Sequence, residues 1–166
     1  MNEYEFQTRG AASIALGTST GLVMALAITG CAAPSTSASG VMTEAVSSAD
    51  APKAIGPYSQ GIRAGNLLFL SAQGPLDAKT GQMSTGAIED QTKLVMDNLT
   101  AVLAANGMTM ANVVSTTVYM KDLNDFAKMN AVYGGYFKDK PPARGTVQVA
   151  GLPRGALIGI SAVASK

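Results

Sequence analysis

The run "PPARGTVQVAG", residues 141–151, sets Arg144 at the head of an alternating, β-branched stretch containing Thr146, Val147 and Val149. Such a stretch suits a half-buried strand, and a guanidinium entering its surface must meet an anion or stay at the rim. The rest of the chain narrows the chemistry that this cation could serve. Histidine is absent, and the one cysteine, Cys31, lies before the regularly patterned part of the chain. Cys–His and Ser–His pairs, Cys/His metal clusters and intrachain disulfides are therefore excluded. Any catalysis must run on carboxylate, arginine, hydroxyl, amide or backbone groups, and neither a cofactor nor a metal is expected.

The bulk numbers exclude further classes. The 166 residues are 47% hydrophobic and 14% charged, with a formal net charge of +1. That length fits one domain plus a tail. Phosphate binding draws most of its affinity from clustered Lys and Arg, so a nucleic acid partner is not expected. Tryptophan is absent and aromatics make up 5%, which gives little for bases to stack on.

The elements that must position Arg144 can be read from residue 50 onward. "YSQGIRAGNLLFLSAQ" carries two short apolar runs around Ala64-Gly65-Asn66, a hairpin composition. In "GAIEDQTKLVMDNLTAVLAANG", Ile88, Val95, Leu99, Val102 and Leu103 recur at helical spacing, with Gly107 as a stop. "NVVSTTVYM" alternates as a strand. "DLNDFAKMNAVYGGYF" opens on Asp122, a helix-capping type, and returns Phe126, Met129, Tyr133 and Phe137 to one face. "TVQVAG" and "LIGISAVA" read as two closing strands about the Pro153-Arg154-Gly155 turn. The order β, β, α, β, α, β, β predicts an α+β sandwich with both helices on one sheet face. The other face lacks a cover within the chain, which predicts a homo-oligomer.

Residues 11–30, "AASIALGTSTGLVMALAITG", are uncharged and mostly apolar, and end at Cys31. The length suits a signal-peptide core or a short membrane span. "ITGC" resembles a bacterial lipobox, which makes residues 1–31 a signal peptide with lipidation at Cys31. Because Glu3 and Glu5 offset Arg9 in the first ten residues, an uncleaved membrane anchor is the competing reading. Residues 32–50, rich in Ser, Ala and Thr, read as a flexible spacer, and 51–166 as the domain. Either reading places the domain in the bacterial cell envelope, facing the periplasm, attached to the membrane by a lipid or an anchor.

Four blocks taken together, "APKAIGPYSQG" (51–61), "LFLSAQGPLDAKTG" (68–81), "VYMKDLNDFAKMNAVYGGYF" (118–137) and "PPARGTVQVAGLPRGALI" (141–158), resemble the RidA/YjgF family. The resemblance runs in order through residues 50–164. It implies a chorismate-mutase-like fold with a mixed sheet, a homotrimer, and ligand clefts between subunits. It also implies hydrolysis of reactive 2-imino or enamino acids, such as 2-aminoacrylate, to 2-keto acids and ammonia. By position, Arg144 matches the arginine that grips the substrate carboxylate, a role suited to the two-bond fork of a guanidinium. The competing reading of Arg144 is an ion pair inside its own assembly. Tyr58, Ser71 and Asn130 match pocket positions, and Thr146 stands where many relatives carry a cysteine, contributing backbone groups toward substrate and water.

The chain departs from the family at its end. Relatives close with a pattern like "VEIEAIA", whose second glutamate orients the attacking water, whereas this chain has "LIGISAVA", with Gly159 and Ser161 at the two glutamate positions. Ser161 would take the water-orienting place, though a hydroxyl is a poor base where a carboxylate contributes typically about 10²–10⁴-fold. Three functions follow: an imine deaminase with weakened or altered chemistry, a non-catalytic trimer binding small carboxylates or a protein, and an RNA-cleaving enzyme. The near-neutral charge and the missing histidine disfavour the third.

Overall fold

The computed structural model describes residue 40 and residues 42–166, so the apolar segment 11–30, Cys31 and the first part of the segment read as a spacer lie outside the described residues. The elements are β1 (Thr43–Val46), β2 (Gly61–Ala64), β3 (Leu67–Gln73), α1 (Ile88–Ala104), β4 (Val113–Met120), α2 (Phe126–Gly134), β5 (Ala143–Gln148) and β6 (Ile158–Ser165). They form one six-stranded sheet in the order β1-β2-β3-β6-β4-β5. Among the described residues only β4 and β5 run parallel, so the sheet is mixed. A parallel pair needs a crossover, and α2 supplies it.

Local chemistry explains the boundaries. Gly65, at φ 60°, turns the chain tightly between Ala64 and Leu67, which face one another across β2 and β3. The Gly107 N–H donates to the carbonyl of Ala104 at 2.9 Å, and the Met108 N–H to that of Leu103 at 3.0 Å, which closes α1 with Gly107 at φ 64°. Asp122 accepts from the Asn124 N–H at 2.8 Å and caps a single 3-10 turn that leads into α2.

Two boundaries differ from the sequence reading. The segment read as a spacer over 32–50 contributes β1, which pairs antiparallel with β2 from Thr43 opposite Ala64 to Val46 opposite Gly61. "TEAV" buries Val46 alone, so its strand character comes from the exposed edge of β2 rather than from its own pattern. β5 begins at Ala143 instead of Thr146, because the parallel ladder with β4 starts at Ser115 opposite Ala143. Arg144 therefore sits inside the strand.

Both helices lie on one face. Leu68, Val118, Met120, Ile158 and Ile160 from the sheet are fully buried with Val95, Leu99, Val102 and Leu103 of α1 and Met129 of α2. Each such side chain contributes on the order of 1.5–3 kcal/mol by leaving water. On the opposite sheet face, Phe69 is 45% and Val147 44% exposed, and no element covers them among the described residues.

Candidate functional site

Tyr133 organises one half of the site. Its hydroxyl lies 2.7 Å from the Thr116 hydroxyl of β4, and Thr116 faces Arg144 across the parallel β4–β5 ladder. Register and hydrogen bond together aim Arg144 at the aromatic face of α2. The guanidinium carbon lies 4.7 Å from the Tyr133 ring centroid and 5.6 Å from that of Phe126. Phe126 and Tyr133 are seven residues apart and so share a helix face. Ring quadrupoles attract a cation by about 0.5–1 kcal/mol at an exposed site, enough to bias the long side chain without neutralising it. Burial pushes the Tyr133 phenol above its ordinary value, outweighing the Thr116 hydrogen bond and the charge of Arg144, so the ring stays neutral.

No carboxylate among the described residues lies within 4.0 Å of Arg144. The guanidinium opens on a cleft of about 740 Å³ that it shares with Asn130, Tyr133 and Pro142. Thr146 follows two residues along β5, half-buried and opposite Val118. Arg144 and Asn130 thus share one cleft, and Thr146 lies beside it on the same face of β5 without lining it.

Tyr58 belongs to another. Gln60, 5% exposed, fixes the loop before it: its side-chain oxygen accepts from the Ser48 N–H at 2.6 Å, and its amide donates to the Pro52 carbonyl at 2.7 Å. The Ser71 hydroxyl donates to the Ser59 carbonyl at 2.7 Å, so Ser71 anchors the Tyr58 loop. Asn98 of α1 donates to the Gly74 and Leu76 carbonyls at 3.2 and 2.9 Å, holding the facing wall. Between these lies a cleft of about 530 Å³ whose lining includes Tyr58, Leu76, Leu152, Arg154 and Gly159.

Gly159 and Ser161, two residues apart on β6, separate here. Gly159 lines the Tyr58 cleft, and a Cβ added to it would stand 3.6 Å from the Gln73 carbonyl oxygen and 3.8 Å from Leu152, ordinary contacts that a side chain can tolerate. Ser161 lies farther along β6 in a shallow groove of the open sheet face, beside Phe69, Ser115, Thr117 and Val163. It lines neither cleft.

Helical spacing marks Phe126 and Tyr133 only as a core face; the signal for their second role is Thr116, whose hydroxyl needs a partner inside the core. Nothing in the sequence pattern marks Gln60, and that pattern marks Arg154 only as part of a turn. Arg154 is the sole non-glycine residue at positive φ among the described residues, at 57°, a conformation that costs about 1–3 kcal/mol. One of its guanidinium N–H groups donates to the Gly81 carbonyl at 3.3 Å. No group of three or more His, Cys, Asp or Glu residues suited to a metal occurs among the described residues.

The endoribonuclease L-PSP family matches residues 48–166. A RutC family protein of Pyrococcus horikoshii is 51% identical over 125 residues, covering 75% of this chain and 99% of its own. The 2-iminobutanoate/2-iminopropanoate deaminase of Mus musculus is 40% identical over 126 residues, covering 76% of this chain and 93% of its own. The crystal structure of the Escherichia coli YjgF gene product superposes with a TM-score of 0.71 at 40% identity, over 74% of this chain and 98% of that one.

Proposed function

The chain belongs to the endoribonuclease L-PSP family, the RidA/YjgF proteins, and from that premise we propose that it hydrolyses reactive 2-imino and enamino acids to 2-keto acids and ammonia. The observation that carries this reading is Arg144: a guanidinium mounted on Tyr133, open to a cleft, with no carboxylate of the described residues to neutralise it. A substrate carboxylate gripped by two parallel bonds would fix the neighbouring imine carbon in space. The mouse relative is named for the hydrolysis of such compounds.

In the reaction, the water oxygen bonds to the imine carbon and the C=N pair moves to nitrogen. One proton of the water passes to nitrogen to give the amino alcohol; the second passes from its hydroxyl to nitrogen as the C–N bond breaks, so that ammonia leaves and the carbonyl forms. Arg144 orients the acid, Asn130 lies in its cleft and Thr146 on its strand, and Tyr58 bounds the second cleft. The Arg144 and Tyr58 clefts are distinct in one chain, which supports a homotrimer in which neighbouring copies join them into one site. The uncovered Phe69 and Val147 face supplies apolar surface for that assembly. Ammonia release from a freshly generated 2-imino acid tests the reading; a rate equal to the uncatalysed one overturns it.

A second reading is favoured by Gly159, which leaves the Tyr58 cleft without a carboxylate to hold water. On that reading the trimer binds small carboxylates, or a protein, without turnover, and calorimetry would register keto-acid binding with no accompanying ammonia. We also propose that the domain is held at the cell envelope, facing the periplasm, through Cys31 or an uncleaved anchor, on the strength of the apolar segment 11–30.

A further inference from the structure

The Tyr58 cleft is chemically one-sided. Leu76, Met83, Leu152 and Pro153 contribute apolar surface, and among the described residues no carboxylate lines it and its one cationic side chain is Arg154. That arginine is held by a backbone that L-residues rarely adopt, φ 57° and ψ 23°, between Pro153 and a Gly155 that is itself at φ 75°. Its single side-chain hydrogen bond among the described residues, to the Gly81 carbonyl at 3.3 Å, engages one of five guanidinium N–H groups. No described carboxylate approaches it within 4.0 Å. Arg154 is exposed at the rim of the cleft, where a cation attracts an anion more strongly than in bulk water but less than in the interior.

We propose that Arg154 is a specificity-determining residue that takes a second carboxylate, so that the favoured 2-imino and 2-keto acids are dicarboxylic. The inference rests on the reading above, in which the Arg144 and Tyr58 clefts close on one another between neighbouring copies. Arg144 then grips the carboxylate beside the imine carbon, and Arg154 meets the carboxylate at the end of the ligand side chain. The glycine at position 159 favours this division, because no carboxylate among the described residues of the cleft competes for Arg154.

Calorimetric titration of the full-length chain with 2-oxoglutarate and with 2-oxobutanoate tests it. The wild type should bind the dicarboxylate at least about tenfold more tightly, the scale of one charge-assisted hydrogen bond. Arg154→Gln and Arg154→Gly should abolish that preference while leaving 2-oxobutanoate affinity unchanged, and Arg154→Lys should keep part of it. Glycine tolerates the positive φ, so Arg154→Gly reports on the side chain rather than on misfolding. Equal wild-type affinity for the two acids, or a preference that survives in Arg154→Gln, overturns the role of Arg154 and leaves the shared cleft standing. Binding of neither acid by the wild type overturns the shared cleft and this inference together. A parallel loss of both affinities in Arg154→Gly shows a structural role instead.

Discussion

The guanidinium of Arg144 lies 4.7 Å from the centre of the Tyr133 ring, and the same ring is fixed at its far end by a 2.7 Å bond to Thr116. One tyrosine therefore joins the buried sheet to the exposed cation. Arg144→Ala should weaken 2-keto acid binding by about 1.5–3 kcal/mol, the worth of a charge-assisted bond. Arg144→Lys should recover only part, since an ammonium cannot form the two-bond fork. Tyr133→Phe keeps the ring but strands the buried Thr116 hydroxyl, so it should cost about 1–3 kcal/mol of stability in denaturant melts while sparing affinity. Keto-acid affinity equal in Arg144→Ala and wild type would remove the carboxylate grip.

Adding a carboxylate to β6 tells Gly159 and Ser161 apart. Gly159→Glu places an acid in the Tyr58 cleft, where the Cβ has room, and should raise imine hydrolysis by about 10²–10⁴-fold. Ser161→Glu places it on the open sheet face and should leave turnover unchanged or lower it by disturbing assembly. A gain at 161 and none at 159 would reverse this assignment.

The uncovered sheet face predicts the quaternary state. Light scattering should give three times the chain mass at micromolar concentration. Phe69→Lys and Val147→Asp, which charge that face, should each shift the mass toward one chain without unfolding it. A wild-type monomer, or a trimer indifferent to both substitutions, would place the contact elsewhere or abolish it.

Alkaline stability reports on the buried phenols. Burial raises the titration of Tyr133, and burial with the Asp97 hydrogen bond raises that of Tyr136. The unfolded tyrosine loses its proton near its ordinary value of 10.0 while the folded one keeps it, so the folded state holds more protons. The stabilisation is complete below pH 10.0 and declines as pH rises toward the folded values. Melting temperature should fall over that range, less steeply in a Tyr133→Phe, Tyr136→Phe double variant. Identical slopes would assign the decline to other groups.

Palmitate labelling tests the proposed lipidation at Cys31. Wild-type cells should incorporate label and Cys31→Ser cells should not, since Gly30 and Thr29 make a small-residue approach to the cleavage site. Label that persists without Cys31, or never appears, would favour the uncleaved anchor.

What was legible in the sequence follows from how local each cause is. The α1 stripe and the Ala64-Gly65-Asn66 hairpin depend on spacing and one turn residue, and both appear where periodicity puts them. β1 depends on an edge offered by β2, so nothing in "TEAV" announces it. Arg144 stood out because a cation beside a β-branched run is conspicuous, yet its aromatic mounting needs the Thr116 register, which pairs residues 28 positions apart. Gly159 and Ser161 have the same alternation and point to the same sheet face; only the three-dimensional path of Tyr58 and Leu152 separates their surroundings.

The separation of the Arg144 and Tyr58 clefts within one chain has a genetic counterpart. If each working cleft draws one half from each of two neighbours, a chain damaged at Arg144 and another damaged at Tyr58 are not equivalent losses. Each inactivates every cleft in a pure assembly. Co-expressed and mixed at random, they rebuild an undamaged cleft wherever the intact halves meet, at about one junction in four for a closed ring. Alleles of the two halves would complement, whereas two alleles of the same half would not.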